Sequence, residues 1–303
     1  MSRRSVRAAG VCVALLLGCA NRHGPSDGSR PDPVVVVTTS ILGDVVEEVA
    51  AGEVDVVVLM PPGADPHSFA LTAAQASRLG DADLVIANGL GLETMLDDHL
   101  RSARAAGIEV LEIGPHLDPV AAGPGLGPDP HVWTDPRRMQ RAVDTIAEAI
   151  GRLGHVDRGE VAAAAQRYRS ALRSMEASMA ARFAVIPPER RLLVTNHHVF
   201  GYFAERFGFR VIGAVVPSAT TLASPSAADL EALVQVLREA GVPAIFADTS
   251  QPTRLADAVA SEAHIDVDVV ELHTESLGPP SSEAATYLGM LDSNADTIVD
   301  ALT

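Results

Sequence analysis

Residues 158–183 read RGEVAAAAQRYRSALRSMEASMAARF, and Pro187 and Pro188 follow shortly afterwards. Alanine, arginine, glutamate, methionine and leucine dominate this stretch, and all of them are good helix formers. The stretch therefore predicts one uninterrupted helix, which at 1.5 Å per residue would be roughly 40 Å long. The two prolines end it, because proline cannot continue a helix. A helix of this length could connect two lobes of one molecule.

Short β-branched runs stand on both sides of this helix, four before it and four after it. Turn residues bound each run and helix-like segments separate them, which is typical of buried parallel strands in alternating β and α units. The runs are Val34–Val37, Val54–Leu59, Leu84–Ala87, Ile108–Ile113, Leu192–Val194, Val211–Val215, Ala244–Ala247 and Val267–Leu272. They predict an α/β fold of two small lobes, each with a mostly parallel four-stranded sheet flanked by helices. We place the N-terminal lobe at 33–155, the linking helix at 156–187 and the C-terminal lobe at 188–303, with a cleft between the lobes.

The N-terminus has the features of a bacterial export signal. Three arginines precede the apolar run Val11–Leu17, which is too short to span a membrane. Gly18 directly before Cys19 resembles a lipobox, in which the cysteine is lipidated and becomes the first residue of the mature chain. We therefore predict a signal peptide over 1–18 and a polar tether over 19–32, which leave the protein outside the cytoplasm and anchored to the cell membrane. An ordinary signal peptide cleaved nearby is the alternative.

The chain is strongly acidic. It has 303 residues, with 39 acidic and 23 basic side chains and a net charge of −16, and every basic residue is arginine. Loss of residues 1–18 would remove three arginines and no acid, so the charge would become −19. Such a surface repels phosphate backbones, which argues against nucleic-acid binding. The other cysteine, Cys12, would leave with the signal peptide, so the mature chain could form no internal disulfide.

Several histidines and one glutamate stand where ligands bind in α/β proteins, beyond the carboxyl ends of parallel strands. His67 follows the second run, and Glu275 follows the eighth. His197 and His198 follow the fifth run and are predicted to open a helix, whereas His131 lies in a Pro-bounded loop. Neutral imidazoles and a carboxylate suit a borderline divalent cation. The sequence therefore predicts a metal site to which each half contributes two groups.

Nothing in the sequence indicates catalysis or a resident cofactor. The chain has no HExxH, GxSxG or Walker motif and no GxGxxG after its first strand. We therefore predict a binding protein with no catalytic residues and no nucleotide site.

Four motifs point to a known family. They are MPPGADPHSF at 60–69, DPHVWTDP at 129–136, HHVFGYF at 197–203 and the pattern from Thr286 to Asn294. These motifs resemble those of the zinc/manganese solute-binding lipoproteins of bacterial ABC importers, the TroA-like cluster A-I receptors. The resemblance runs from about residue 33 to the C-terminus. It implies two α/β lobes, joined by one long rigid helix, that hold a single metal ion in the cleft.

The resemblance also implies which side chains hold the ion. The family's first two histidines map to His67 and His131. The spacing to the GYF motif selects His197 over His198 as the third ligand. The fourth ligand, commonly aspartate in the family, maps to Glu275, whose side chain is one methylene longer and alters the coordination geometry.

Three imidazoles and one carboxylate favour zinc over manganese, which prefers more oxygen ligands. Manganese is the alternative cargo, with iron behind both. His116 is the only histidine in the stretch 114–130, so this stretch predicts no His-rich zinc-collecting loop. The resemblance implies a receptor, expected to be a monomer, that delivers the ion to the membrane subunit of an ABC permease. A secreted zinc-dependent hydrolase, in which Glu275 holds a water instead of the metal, is the competing interpretation.

Overall fold

The computed structural model describes residues 32–123 and 125–303. The predicted signal peptide, Cys19 and all but the last residue of the predicted tether lie outside the described residues.

The first half folds around one parallel sheet. Its elements are β1 (Val34–Val37), α1 (Ser40–Ala50), β2 (Asp55–Val58), α2 (Ala73–Gly80), β3 (Leu84–Ala87), α3 (Asp97–Ala105) and β4 (Glu109–Glu112). The strands are ordered β2-β1-β3-β4 and every pair is parallel. The valines of β1 at positions 35–37 are completely buried, as expected for a central strand covered on both faces.

The middle of the chain forms a small hairpin and two helices. These elements are β5 (Ala121–Gly123), β6 (Leu126–Pro128), α4 (Pro136–Ile150) and α5 (Arg158–Phe183). Asp135 caps α4 by accepting from the Arg137 amide at 2.8 Å, and Pro136 occupies the first turn, where proline is tolerated. Asp157 caps α5 in the same way through the Gly159 amide. Among the described residues α5 is the longest helix, and its bounds are those predicted.

The second half repeats the architecture of the first. Its elements are β7 (Leu192–Thr195), α6 (Gly201–Phe207), β8 (Arg210–Ala214), α7 (Ala227–Ala240), β9 (Ala244–Asp248), α8 (Arg254–Ala263), β10 (Asp268–Leu272) and α9 (Tyr287–Leu302). The strands are ordered β10-β9-β7-β8 and are again all parallel. The predicted fold class, two parallel four-stranded sheets with flanking helices and a long helix, is thus confirmed.

The order of the strands determines where a ligand can bind. In the first sheet the chain runs from β1 to β2 on one side and from β3 to β4 on the other side, so these two connections diverge beyond the carboxyl ends of β1 and β3. The same divergence occurs between β7 and β9 in the second sheet. Crevices at such switch points are the usual ligand sites of open α/β sheets.

Two local expectations were wrong. His197 and His198 do not open a helix, because α6 begins only at Gly201. The backbone around them is engaged elsewhere: Thr195 Oγ1 donates to the His197 carbonyl and the His198 amide donates to Ser218. The hairpin β5–β6 was not expected, since its short strands of alanine, glycine, leucine and proline carry no β-branched signal.

The largest apolar cluster is shared between the two halves. It contains Val35 of β1, Leu172 and Phe183 of α5, Leu193 of β7 and Phe246 of β9. Smaller clusters lie on the outer sides of each sheet. In the described part of the chain, none of the helices is both long and apolar enough to cross a lipid bilayer.

Candidate metal centre

The two DPH motifs build the same local structure. In each motif the aspartate accepts a hydrogen bond from the backbone amide of the histidine two residues later, at 3.0 Å in both cases. This short turn is characteristic of aspartate. Together with the intervening proline, it fixes the backbone of His67 after β2 and that of His131 before α4.

Asp129 also orients the His131 ring. Its Oδ1 atom lies 2.7 Å from His131 Nδ1. A carboxylate accepts from this nitrogen, which places the ring proton on Nδ1 and leaves the lone pair of Nε2 free. The Tyr202 hydroxyl in turn donates to the Asp129 carbonyl at 2.6 Å. Tyr202 of α6 thereby connects the second half to the loop that carries His131.

His197 follows β7 directly. Its Nδ1 lies 3.1 Å from the side-chain oxygen of Asn196. Asn196 therefore orients the His197 ring in the way that Asp129 orients the His131 ring. His198, the adjacent residue, is only partly buried and lies outside the cluster.

Asp248, at the carboxyl end of β9, positions the loop that carries Glu275. Asp248 Oδ2 accepts from the amides of Thr274 and Glu275 at 2.9 and 3.0 Å. The pairing of Leu272 with Asp248 in neighbouring parallel strands brings the aspartate beside this loop. The Trp133 indole donates to the Thr274 carbonyl at 2.7 Å, so the second DPH motif also contacts the loop of Glu275.

The structure brings His67, His131, His197 and Glu275 together, and each is at most 1% exposed. Nε2 of His131 lies 3.3 Å from Nε2 of both other histidines. The Glu275 oxygens lie 3.1 Å from His197 Nε2, 3.3 Å from His131 Nε2 and 3.7 Å from His67 Nε2. Four donors bonded tetrahedrally at 2.0–2.1 Å would be separated by about 3.3 to 3.4 Å. The observed spacing therefore fits one tetrahedral ion.

Burial keeps His67 and His197 neutral and opposes charge on Glu275. Burial lowers the pKa of His67 to about 2, with repulsion from the other two histidines acting in the same direction. The pKa of His197 is also lowered by burial. Burial raises the pKa of Glu275, although attraction to His131 partly opposes the shift. Within the described residues, neither Glu275 oxygen nor Nδ1 of His67 has a hydrogen-bond partner.

Such a set of groups is costly without a cation. Buried polar atoms are normally hydrogen-bonded, and a buried carboxylate is normally paired or bound to metal. A divalent ion would satisfy the carboxylate and give each neutral imidazole nitrogen an acceptor for its lone pair. The donor set thus has the chemistry of a metal centre.

Asp129, Asp248 and Trp133 are the supporting residues that sequence reasoning did not assign. Asp129 could have been found, because it precedes a candidate ligand by two residues in a repeated motif. Asp248 carries no comparable signal, since its role depends on which strand pairs with β10. His273, two residues before Glu275, faces Thr249 at 3.0 Å and is not part of the cluster.

Comparisons with known proteins identify the family and agree with the fold. The family model described as zinc-uptake complex component A, periplasmic, matches residues 35–301. The zinc-binding protein TroA of Treponema pallidum is 33% identical over 310 residues, spanning the whole of this chain and 99% of the relative. Its solved structure superposes with a TM-score of 0.83, covering 90% of this chain and 99% of that one.

Other relatives carry names that refer to manganese. The manganese-binding lipoprotein MntA of Bacillus subtilis is 30% identical, covering 88% of this chain and 89% of the relative. PsaA of Streptococcus mitis, named a manganese ABC transporter substrate-binding lipoprotein, is 24% identical and covers 96% of each chain. All three are binding proteins by name, which confirms the expectation that this chain is not an enzyme. The chain belongs to the zinc-uptake component A family of periplasmic metal-binding proteins.

Proposed function

We propose that this protein is an extracytoplasmic receptor that captures one divalent metal ion, preferentially zinc, and delivers it to the membrane subunit of an ABC import permease. In this proposal His67, His131, His197 and Glu275 are the four ligands. The observation that carries it is the convergence of three ring nitrogens and one carboxylate at separations close to the edges of a zinc tetrahedron.

The donor set supports binding in preference to catalysis. A catalytic zinc usually has three protein ligands and one open position for water or substrate. Here four side chains would fill all four positions, and each of them is essentially inaccessible to solvent. An ion held in this way is retained as cargo. If Glu275 instead held a water molecule, as in the hydrolase interpretation, its carboxylate would not approach all three ring nitrogens within 3.7 Å.

Zinc is favoured by the chemistry of the donors. A nitrogen-rich, four-coordinate site suits zinc, whereas manganese prefers more oxygen ligands and higher coordination. The zinc-binding name of TroA, the relative at 33% identity, supports this choice, and the manganese names of MntA and PsaA keep manganese as the alternative cargo. Iron remains behind both.

The route to the membrane follows from the N-terminus and from the relatives. We propose that Cys19 is lipidated after removal of residues 1–18, which would hold the folded body at the outer face of the membrane. The lipoprotein names of MntA and PsaA support this anchor, and the ABC transporter name of PsaA supports the permease partner. A monomer is sufficient for this function, because one chain supplies all four ligands.

Calorimetric titration of the metal-free full-length protein with zinc, and separately with manganese, tests the proposal. We expect one site per chain and tighter binding of zinc. His67→Ala and His197→Ala should each weaken zinc binding by more than about 100-fold, because loss of a ligand costs more than the 10- to 100-fold typical of residues that only orient one.

His198→Ala is the matched control, since His198 is adjacent to His197 but does not reach the cluster. Its affinity should equal that of the unsubstituted protein. Wild-type affinity in both the His67 and the His197 variants would refute the ligand assignment, and absence of any zinc binding by the unsubstituted protein would refute the function.

A further inference from the structure

Asp65 connects the loop of His67 to the second half of the molecule. Its Oδ1 accepts from the His67 amide at 3.0 Å. Its Oδ2 accepts from Thr221 Oγ1 at 2.7 Å and from Gln251 Nε2 at 2.8 Å. The Ser68 hydroxyl, from the same loop, is a third donor to Oδ2. One carboxylate, 8% exposed, thus ties the first DPH motif to two separate loops across the cleft.

The two donors from the second half lie on different loops beyond the carboxyl edge of its sheet. Thr221 belongs to the loop between β8 and α7, and Gln251 follows β9. Both residues are only partly buried, and Leu222, beside Thr221, exposes half of its surface. The loop of Thr221 therefore has few packing contacts to hold it, and its contact with Asp65 is a polar one made across the cleft.

A cavity of about 230 Å³ opens at this place. Its walls include His197, Asp248 and both donors to Asp65, Thr221 and Gln251. This volume is many times the roughly 10–15 Å³ that one ordered water needs, so the cavity has room for an ion that keeps part of its hydration shell. The cavity thus extends from one proposed ligand, His197, to the two donors to Asp65.

An ion bound at the proposed site must cross protein to reach solvent, because all four ligands are buried. A cavity that has one ligand as a wall and the Asp65 contacts at its side offers a short path. Movement of the loops of Thr221 and Gln251 away from Asp65 would open that path by breaking these two hydrogen bonds, while the core that both sheets share stays packed.

We propose that Asp65, Thr221 and Gln251 form a gate that sets the rate at which metal enters and leaves through the cavity beside His197. The inference rests on the proposed function and adds the exchange route to it. The three residues act on the path and not on the ion. None of the three belongs to the proposed ligand set, so breaking their hydrogen bonds should accelerate entry and release alike and change the equilibrium affinity little.

The double variant Thr221→Val/Gln251→Leu tests the gate, since it removes both donors and keeps the side chains close in size. Release is measured by mixing the zinc-loaded full-length protein with an excess of a fluorescent zinc chelator. Loss of two part-buried hydrogen bonds to a charged group should give roughly a 10- to 100-fold faster release. The dissociation constant, measured by competition, should change less than about threefold, the precision to which such energies can be assigned.

Two control variants isolate the effect. Thr253→Val makes the same change in the same cavity wall, but Thr253 donates to Asp257 and not to Asp65, so release should keep its original rate. Thr221→Ser, with Gln251 unchanged, retains the hydroxyl donor, so its release of zinc should be as slow as that of the unsubstituted protein. These comparisons separate the gate from a general loosening of the cavity.

The outcomes are distinct. Release from the double variant at the rate of Thr253→Val overturns the gate while the receptor function stands. Faster release with a proportional loss of affinity also overturns it, because the contacts would then stabilise the bound state and not the barrier. Failure of the unsubstituted protein to bind zinc overturns the proposed function and the gate together.

Discussion

Replacing Asp129 with asparagine should weaken zinc binding without unfolding the protein. Asp129 does not belong to the proposed ligand set, but its Oδ1 atom accepts from His131 Nδ1 at 2.7 Å and from the His131 amide at 3.0 Å. Asparagine has the same shape and retains one acceptor oxygen. It lacks the negative charge that makes the ring nitrogen at the opposite side of His131 a stronger donor to the metal.

The magnitude follows from the hydrogen bond that changes. A charge-assisted bond at this distance is about twice as strong as a neutral one. Loss of that difference corresponds to about 1.4 kcal/mol, or roughly tenfold in affinity, the lower end of the 10- to 100-fold range for residues that orient metal-bound histidines. Asp129→Ala, which removes the acceptor altogether, should approach the upper end of that range.

Competition calorimetry against a chelator of known zinc affinity measures both variants. Asp135→Asn is the control, because Asp135 is equally buried but caps α4 and does not contact a proposed ligand. Asparagine is also a favoured N-cap residue, so α4 should be kept and zinc affinity should be unchanged. The reasoning is refuted if Asp129→Ala binds zinc within a factor of about two of the unsubstituted protein, a difference smaller than one hydrogen bond contributes.

Three further outcomes follow from the structure. Zinc at 100 times its dissociation constant should stabilise the protein by about 2.7 kcal/mol, and differential scanning calorimetry should show the rise in melting temperature disappearing when EDTA is added; an unchanged melting temperature would contradict a bound cargo. Burial, aided by repulsion from Glu48, raises the pKa of Asp44 from 3.8 to about 6, so stability that is present below pH 4 is lost as the pH rises through 6. At pH 7.5, Asp44→Asn should therefore be more stable than the unsubstituted protein by at most about 3 kcal/mol. Urea unfolding should measure this difference at pH 7.5 and no difference near pH 4. A side chain at position 201 would place its Cβ 2.5 Å from Asp129 Oδ2 and displace this carboxylate. Gly201→Ala should therefore weaken zinc binding in the same calorimetric competition, even though alanine favours a helix. Full affinity would show that the Asp129 carboxylate tolerates displacement.

Much of the fold could be predicted because the local pattern and the tertiary structure agree. All eight predicted strands are present, with ends shifted by at most one residue, because continuous β-branched runs such as Val34–Val37 are typical of parallel strands that are buried on both faces. The bounds of α5 were predictable from composition and from the prolines that follow it. The hairpin β5–β6 could not be predicted, because its residues have no strand propensity and its pairing depends on the surrounding loops.

The candidate site could be predicted in part. The DPH motif marks His67 and His131, and the position just after a predicted strand marks Glu275. The structure brings these residues together with His197. Their role as metal ligands stays a prediction. The path of the backbone after β7 could not be derived, because it depends on Ser218 of a distant loop accepting from the His198 amide. Asp248 was missed for the same reason: strand order, not local sequence, places it beneath Glu275.

The apolar cluster that both sheets share has a consequence for how the protein comes apart. Side chains of β1, α5 and β9 exclude water together, so neither half keeps this shared cluster intact when the other is removed, although each half also has a smaller cluster of its own. We therefore expect the two sheets to unfold together. A fragment ending after α4 would expose the apolar face that α5 covers and should aggregate. A chimera of halves from two homologous receptors would have to preserve the packing against α5 in order to fold.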